Sequence, residues 1–513
     1  MKTKRLNILF PLLISLILGI VYTLTIAPGL SWANRGADGG DFITAAATGG
    51  VAHPTGYPTY LALAWFFQQL PLGNLAFRTN LMSAFFAILT ALFVADLVRC
   101  SFSGSEQNTR WAGFLAGLAF GLSQLFWSQA LITEVYTLNA FFVILLLWLS
   151  LAALKPEQHV FFKPVWLERL GGLIFGLALG NQITVVFLLP VWLLFGTRRL
   201  TEGQALQKRN SFIHPQQINW PGLARRVGWL CIGLLIYATI PLRARSGSPV
   251  NWGYAIDWDG FWWLISGGNY QGRVFNLPAE YLWPRIRNWA GWLQTQFGII
   301  GLTIGFYGLL YGTPRVKRYY WITGWIFLAY SIFSVGYDSS DSYALLIPAY
   351  LVFAIWIGLG VGKLLEEVEK LPRKAWLYPL VITLTLGVIL VNTGLLYPQV
   401  DASRDKRAEI FAQTVLATAP PHAIIFTSDD EDVFALRYYT YALGQRPDIA
   451  IFSGALQFGW YQEVMRYTYP DLVIPIAADD CLACTRSVLI TTNRERPICE
   501  SYPFETDVLV CEP

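Results

Sequence analysis

Residues 38–58 read DGGDFITAAATGGVAHPTGYP and follow closely on the apolar run Leu6–Ile26. That run has about 20 residues, enough to cross a hydrocarbon core of about 30 Å at about 1.5 Å per helical residue. Two carboxylates, a His-Pro step and a Gly-Tyr-Pro turn therefore stand where the chain leaves a membrane. Ionisable groups there are costly unless something uses them. Lys2, Lys4 and Arg5 ahead of the run also resemble the start of a signal peptide. The run is longer than a signal core, so it reads as a retained first helix.

The composition agrees. The 513 residues are 54% hydrophobic and 14% charged, against about 25% charged in average soluble chains. The net charge is only +4. The basic residues sit in short loops and form no stripe, so nucleic acid is not indicated as a partner. The 21 Trp, 25 Tyr and 33 Phe suit interfacial belts and sugar-stacking surfaces alike.

Further apolar stretches run 75–98, 111–154, 170–195, 227–240, 297–311, 319–335, 343–361 and 377–396. The stretch 111–154 divides into two spans at the polar break 128–134. The stretch 170–195 divides into two half-length helices hinged at Asn181 and Gln182. Eleven hydrophobic helices result. Loops on the N-terminal side then hold 21 Lys and Arg, against six on the opposite side: Arg35, Arg243, Arg245, Arg273, Arg285 and Arg287. The positive-inside rule places the N-terminus in the cytoplasm. The polar clusters at 38–58, Glu134, 242–293 and Asp338/Asp341, and the C-terminal tail, then all face outside. The hinge puts Asn181 and Gln182 below the outer surface, lining a cavity, because bare lipid would leave their amides unsatisfied.

After Pro398 the pattern changes. Residues 423–427, 448–452, 472–476 and 488–492 read as short strands, and 404–417 and 433–443 as helices between them. The expected fold is mainly α: a polytopic membrane domain of about 11 helices over 1–397, and a small extracytoplasmic α/β domain over 398–513. Four cysteines lie in the tail, Cys481, Cys484, Cys499 and Cys511. Disulfides are the default outside the cytoplasm; free thiols and a zinc site stay open. Cys100 and Cys231 read as packing residues in helices.

The stretches DGGDFITAAATGGVAHPTGYPTY, PLGNLAFRTNLMSAFFA, TEVYTLNAFF (133–142), GLALGNQ (176–182), PLRARSGSPVNWG (241–253) and DSYALLIPAY (341–350) occur in order. With AIIFTSDDEDVFALRYY and RPDIAIF in the tail, they resemble multi-pass membrane proteins grouped with the protein O-mannosyltransferases. The resemblance implies a glycosyltransferase of the GT-C architecture. Such an enzyme moves a sugar, mannose or another hexose, from a polyprenyl-phosphate donor in the membrane to an extracytoplasmic acceptor. It implies that the first outer loop carries the catalytic acid residue, hence Asp38 and Asp41. Family members more often have Glu at the second position and Pro at that of Thr55.

Each residue also has a plainer reading. Asp38 and Asp41 suit a helix N-terminus as caps. The functional alternative makes Asp38 a general base for an acceptor hydroxyl, with Asp41 its partner or a ligand for a divalent metal such as Mg or Mn. Candidate substrate contacts are His53, Tyr57, Glu134, Asn181, Gln182, Arg243, Arg245 and Asp341. His53, Tyr57 and Asp341 could equally be turn residues, and Glu134 a solvated loop end. Arg243 and Arg245 either snorkel at the interface or clamp a carrier phosphate. Trp252, Trp258, Trp262 and Trp263 read as interface anchors. A protein hydroxyl and a lipid or envelope glycan both remain possible acceptors. A polyprenyl-lipid transporter or flippase is the competing class, although no internal repeat is found. A non-catalytic receptor would be expected to lack the first-loop carboxylates.

Overall fold

The computed structural model describes residues 2–154, 164–195, 220–312, 318–475 and 481–512. Most of the basic loop residues expected around 155–163, 196–219 and 313–317, with Arg198 and Arg199, lie outside the described residues. Among the described residues six helices are long and apolar enough to cross a membrane. They are Ile8–Thr25, Leu75–Ser101, Trp220–Ala244, Ala279–Tyr311, Ser342–Glu369 and Lys374–Val400. The count of eleven is not reached by that measure, which covers the described residues only; the helices Tyr136–Leu154, Pro164–Leu179, Leu189–Phe195 and Arg318–Gly336 all end beside undescribed ones. The stretch 111–154 folds as Glu106–Gly121, Gln124–Ala130 and Tyr136–Leu154. The stretch 170–195 breaks at 180–182, between helix Pro164–Leu179 and the 3-10 turn Ile183–Leu188. That is the hinge expected from Asn181-Gln182.

One boundary is far from its expected place. The span expected at 297–311 is the second half of Ala279–Tyr311, whose first half was read as outer loop. Gly298 takes φ 65°, ψ 170° inside this element. L-residues avoid that region, so a glycine is needed where the two halves join. The first half carries Arg285 and Arg287 among its tryptophans, which hides it from a hydrophobicity reading. The helix Ile347–Glu369 is buried along nearly all its length and forms the axis of the bundle.

The tail contains a four-stranded sheet: β1 (Ile424–Thr427), β2 (Ala450–Phe452), β3 (Ile498–Ser501) and β4 (Leu509–Cys511). The order is β2-β1-β3-β4, with β1 parallel to both neighbours and β3 antiparallel to β4. β1 and β2 lie where the sequence placed strands. Residues 488–492 instead end the helix Leu482–Thr492, and Leu472–Pro475 is irregular; Ile476 lies outside the described residues. Val488-Leu-Ile-Thr-Thr has β propensity, but propensity is a weak prior against packing, and Leu489 seats in the core under the sheet. The cysteines form two disulfides, Cys481–Cys484 and Cys499–Cys511. The second joins directly paired positions of β3 and β4. Cys231 is exposed on its helix, not packed.

The tail is not separate from the segment that follows the first helix. Leu30, Trp32, Ile43 and Ala76 share one apolar core with Phe411, Val415, Val433 and Phe434. This contact positions the site.

Candidate active site

The helix Gly39–Thr48 begins at Asp38, which occupies the N-cap position but makes no side-chain capping bond. Its carboxylate keeps 41% exposure. Asp41, in the first turn, is 0% exposed. A bare buried carboxylate would be very costly, and here three donors satisfy it. The His53 backbone N–H and ring Nδ1 both reach Oδ2 at 2.9 Å. Trp252 Nε1 donates to Oδ1 at 3.0 Å. The other ring nitrogen of His53, Nε2, lies 3.8 Å from Asp38 Oδ2. Asp41 thus fixes the imidazole, and the imidazole faces Asp38.

The segment after the helix is held by the loop around residues 243–252. Val51 N–H donates to Val250 O at 2.9 Å, and Trp252 N–H to Val51 O at 3.2 Å. Arg243 donates to Gly50 O at 3.1 Å and Ala45 O at 3.5 Å. Arg245 donates to Pro241 O and Ile256 O at 3.3 and 2.6 Å. Both arginines therefore brace backbone, and Arg243 braces the loop that carries His53.

Burial raises the Asp38 pKa; His53 opposes this, while Asp430, Asp41 and Asp341 add to it, and the value is pushed up to about 6. Burial works against a charged His53, but Asp38, the Asp41 hydrogen bond and the further charges of Asp41 and Asp430 outweigh it, giving about 9. Glu134 is 5% exposed. Burial first, then the charge of Asp38, raises it well above the carboxylate range.

Tyr57 takes φ 44° before helix Pro58–Gln68, with its ring 5.2 Å from His53. Asn181 and Gln182 are both buried. Asn181 Nδ2 donates to Val135 O at 3.3 Å, next to Glu134. The side-chain oxygens of Asn181 and Gln182 have no partner. Asp341 accepts from Ser339 Oγ; its charge acts on both Asp38 and Glu134. Among the described residues no group of three His, Cys, Asp or Glu converges at metal-binding spacing.

Two aromatic assignments change. Trp252 is a donor to Asp41, not an interface anchor, and Trp263 packs against Trp460 of the tail at 5.6 Å. Trp258 and Trp262 are exposed and stacked on each other. Sequence reasoning missed Phe434, whose ring stacks on His53 at 6.4 Å and 19°, and its neighbour Asp430. Only the DDED run at 429–432 marked that place.

Residues 38–203 match the sequence profile of the Protein O-mannosyl-transferase TMEM260 N-terminal domain. The chain is 27% identical over 479 residues to Protein O-mannosyl-transferase TMEM260 of Mus musculus, covering 89% of this chain. It is 24% identical over 492 residues to Protein O-mannosyl-transferase tmem260 of Dictyostelium discoideum, covering 86% of this chain. It spans 64% and 57% of the length of those relatives. Among solved structures, ArnT from Cupriavidus metallidurans in the apo state aligns with TM-score 0.56 at 14% identity, over 98% of this chain and 94% of that one. ArnT bound to undecaprenyl phosphate aligns with TM-score 0.52 at 13% identity, over 86% and 89%. In sequence and in fold, the chain is similar to the protein O-mannosyl-transferase-like family of GT-C multi-pass membrane glycosyltransferases.

Proposed function

We propose that this chain moves a hexose, mannose first, from a polyprenyl-phosphate carrier to a hydroxyl of an extracytoplasmic protein. The observation that carries this reading is an exposed Asp38 carboxylate held 3.8 Å from a buried His53–Asp41 pair. The names of the relatives and the undecaprenyl phosphate bound to ArnT support it.

In this mechanism Asp38 takes the acceptor hydroxyl's proton as that oxygen attacks the anomeric carbon. The bond from that carbon to the phosphate oxygen breaks, and its electron pair leaves with the carrier phosphate. Attack from the opposite face inverts the anomeric centre. Partial burial makes Asp38 a stronger base than a solvated aspartate. His53, charged below about 9, offsets the carboxylates around it. The unpartnered oxygens of Asn181 and Gln182 suit sugar hydroxyls. A guanidinium carries five N–H donors, so Arg243 and Arg245 retain donors for a phosphate beside their carbonyl bonds.

The test uses the purified full chain in lipid nanodiscs with polyprenyl-phosphate mannose and Ser/Thr peptides. Mannosylated peptide is expected. Transfer only to lipid or glycan acceptors would move the reading to those acceptors, and donor movement across the bilayer without transfer would make the chain a flippase.

The same proposal places the site outside and the N-terminus in the cytoplasm, on the 21-to-six division of basic residues. Cysteines introduced near Arg35 and Ser403 should label in intact cells with a membrane-impermeant reagent, and one near Arg209 should not. Labelling at Arg209 alone would reverse the orientation.

A further inference from the structure

The helix Asp430–Arg437 belongs to the tail, yet it packs directly on the helix that carries Asp41. A Cβ added to Gly40 would lie 2.6 Å from Phe434 O and 2.9 Å from Phe434 Cβ. Only a glycine permits that approach. Phe434 turns its ring onto His53, stacked at 6.4 Å, and also meets Trp252 at 6.4 Å. Asp430 stands four residues before Phe434, so the two side chains share one face of the helix. That face is the one turned to the His53 ring. Unlike Asp432, which is buried and bonded to Ser501 at 2.7 Å, Asp430 is exposed. Its charge acts on both His53 and Asp38.

We propose that this helix is the acceptor wall of the site, and that the Asp430 carboxylate accepts a hydrogen bond from an N–H or O–H of the acceptor polypeptide. The inference rests on the transferase reading above. A lipid-borne donor arrives from the membrane side, among the hinge residues. The tail helix meets the site together with the segment after the first helix, with which it shares a core, so on that reading what it touches is the acceptor. Asp430 is a binding residue here, whereas Phe434 positions His53.

The experiment is steady-state transfer by the full chain and its Asp430→Asn variant, varying donor and peptide separately. The amide oxygen can still accept a neutral hydrogen bond, so what is lost is the charge-assisted part of the contact, and the peptide KM should rise about fivefold or more. Because the Asp430 charge also acts on Asp38 and His53, the comparison is made on the pH plateau above the Asp38 limb, where the donor KM should stay within about twofold of the parent. Asp430→Glu should restore part of the peptide affinity. An unchanged peptide KM, or a donor KM that rises in its place, overturns the assignment. If the parent transfers nothing, the transferase reading itself fails, a result distinct from an active parent with an indifferent Asp430→Asn variant. Peptide binding, measured directly without donor, should weaken by the same factor from parent to variant and provides a readout independent of turnover.

Discussion

Asp38→Asn protein should fold, bind the lipid-linked donor and transfer almost nothing. Removing a general base typically costs about 10²–10⁴ in rate, or roughly 2.7–5.5 kcal/mol of barrier. The substitution conserves size, and asparagine caps helices about as well as aspartate. Asp38 makes no capping bond to lose, so a folding defect is not expected. The variant's amide cannot take a proton. In the parent the rate should rise with pH as Asp38 ionises around 6 and reach a plateau above it. The groups facing Asp38 that shape this limb are His53, Asp430, Asp41 and Asp341. The variant's residual rate should lack the limb. A folded Asp38→Asn protein that transfers at the parental rate, with the same pH profile, would move the base elsewhere, with Glu134 next in line.

Asp41→Asn should cost stability instead. The carboxylate accepts two hydrogen bonds at Oδ2 and one at Oδ1, all from N–H donors. An amide has one oxygen. If that oxygen faces His53, its NH₂ confronts Trp252 Nε1–H; if it is flipped, both His53 donors lose their acceptor. The charge opposite His53 is lost in either case. Breaking a buried pair on one side typically costs about 3–5 kcal/mol. The unfolding midpoint in chemical denaturant should fall accordingly, and transfer with it. In the parent, His53 is raised from 6.5 to about 9. Its contribution to stability is therefore fully present below about 6.5 and lost as pH rises through about 9. Asp41→Asn should flatten that decline. A variant as stable as the parent, with His53 titrating unchanged by NMR, would remove Asp41 from this role.

Much of the membrane architecture was legible in the chain. Hydrophobic length and polar interruption act locally, so Leu6–Ile26, the break at Asn181-Gln182 and the long helices near 75–98 and 377–396 could be read directly. A carboxylate pair beside a membrane exit marked the site for the same reason: polar groups there are costly, so they stand out. Other features needed the tertiary structure. Asp38 and Asp41 looked alike three residues apart, but helical rotation buries one under Trp252 and leaves the other exposed. Trp252 is 211 residues from Asp41, and no local pattern separates a tryptophan anchoring an interface from one bonded to a buried carboxylate. Phe434 and Asp430 reach His53 only because the tail shares a core with the segment that follows the first helix. The run at 488–492 has strand propensity and folds as helix because Leu489 fills the space beneath the sheet. The sequence by itself determined which segments are apolar enough to enter a membrane and where polar groups interrupt them, since each is a property of adjacent residues. Only the tertiary structure decided which carboxylate is buried, which aromatic rings enclose His53 and which part of the tail meets the site, since those depend on contacts between residues hundreds of positions apart.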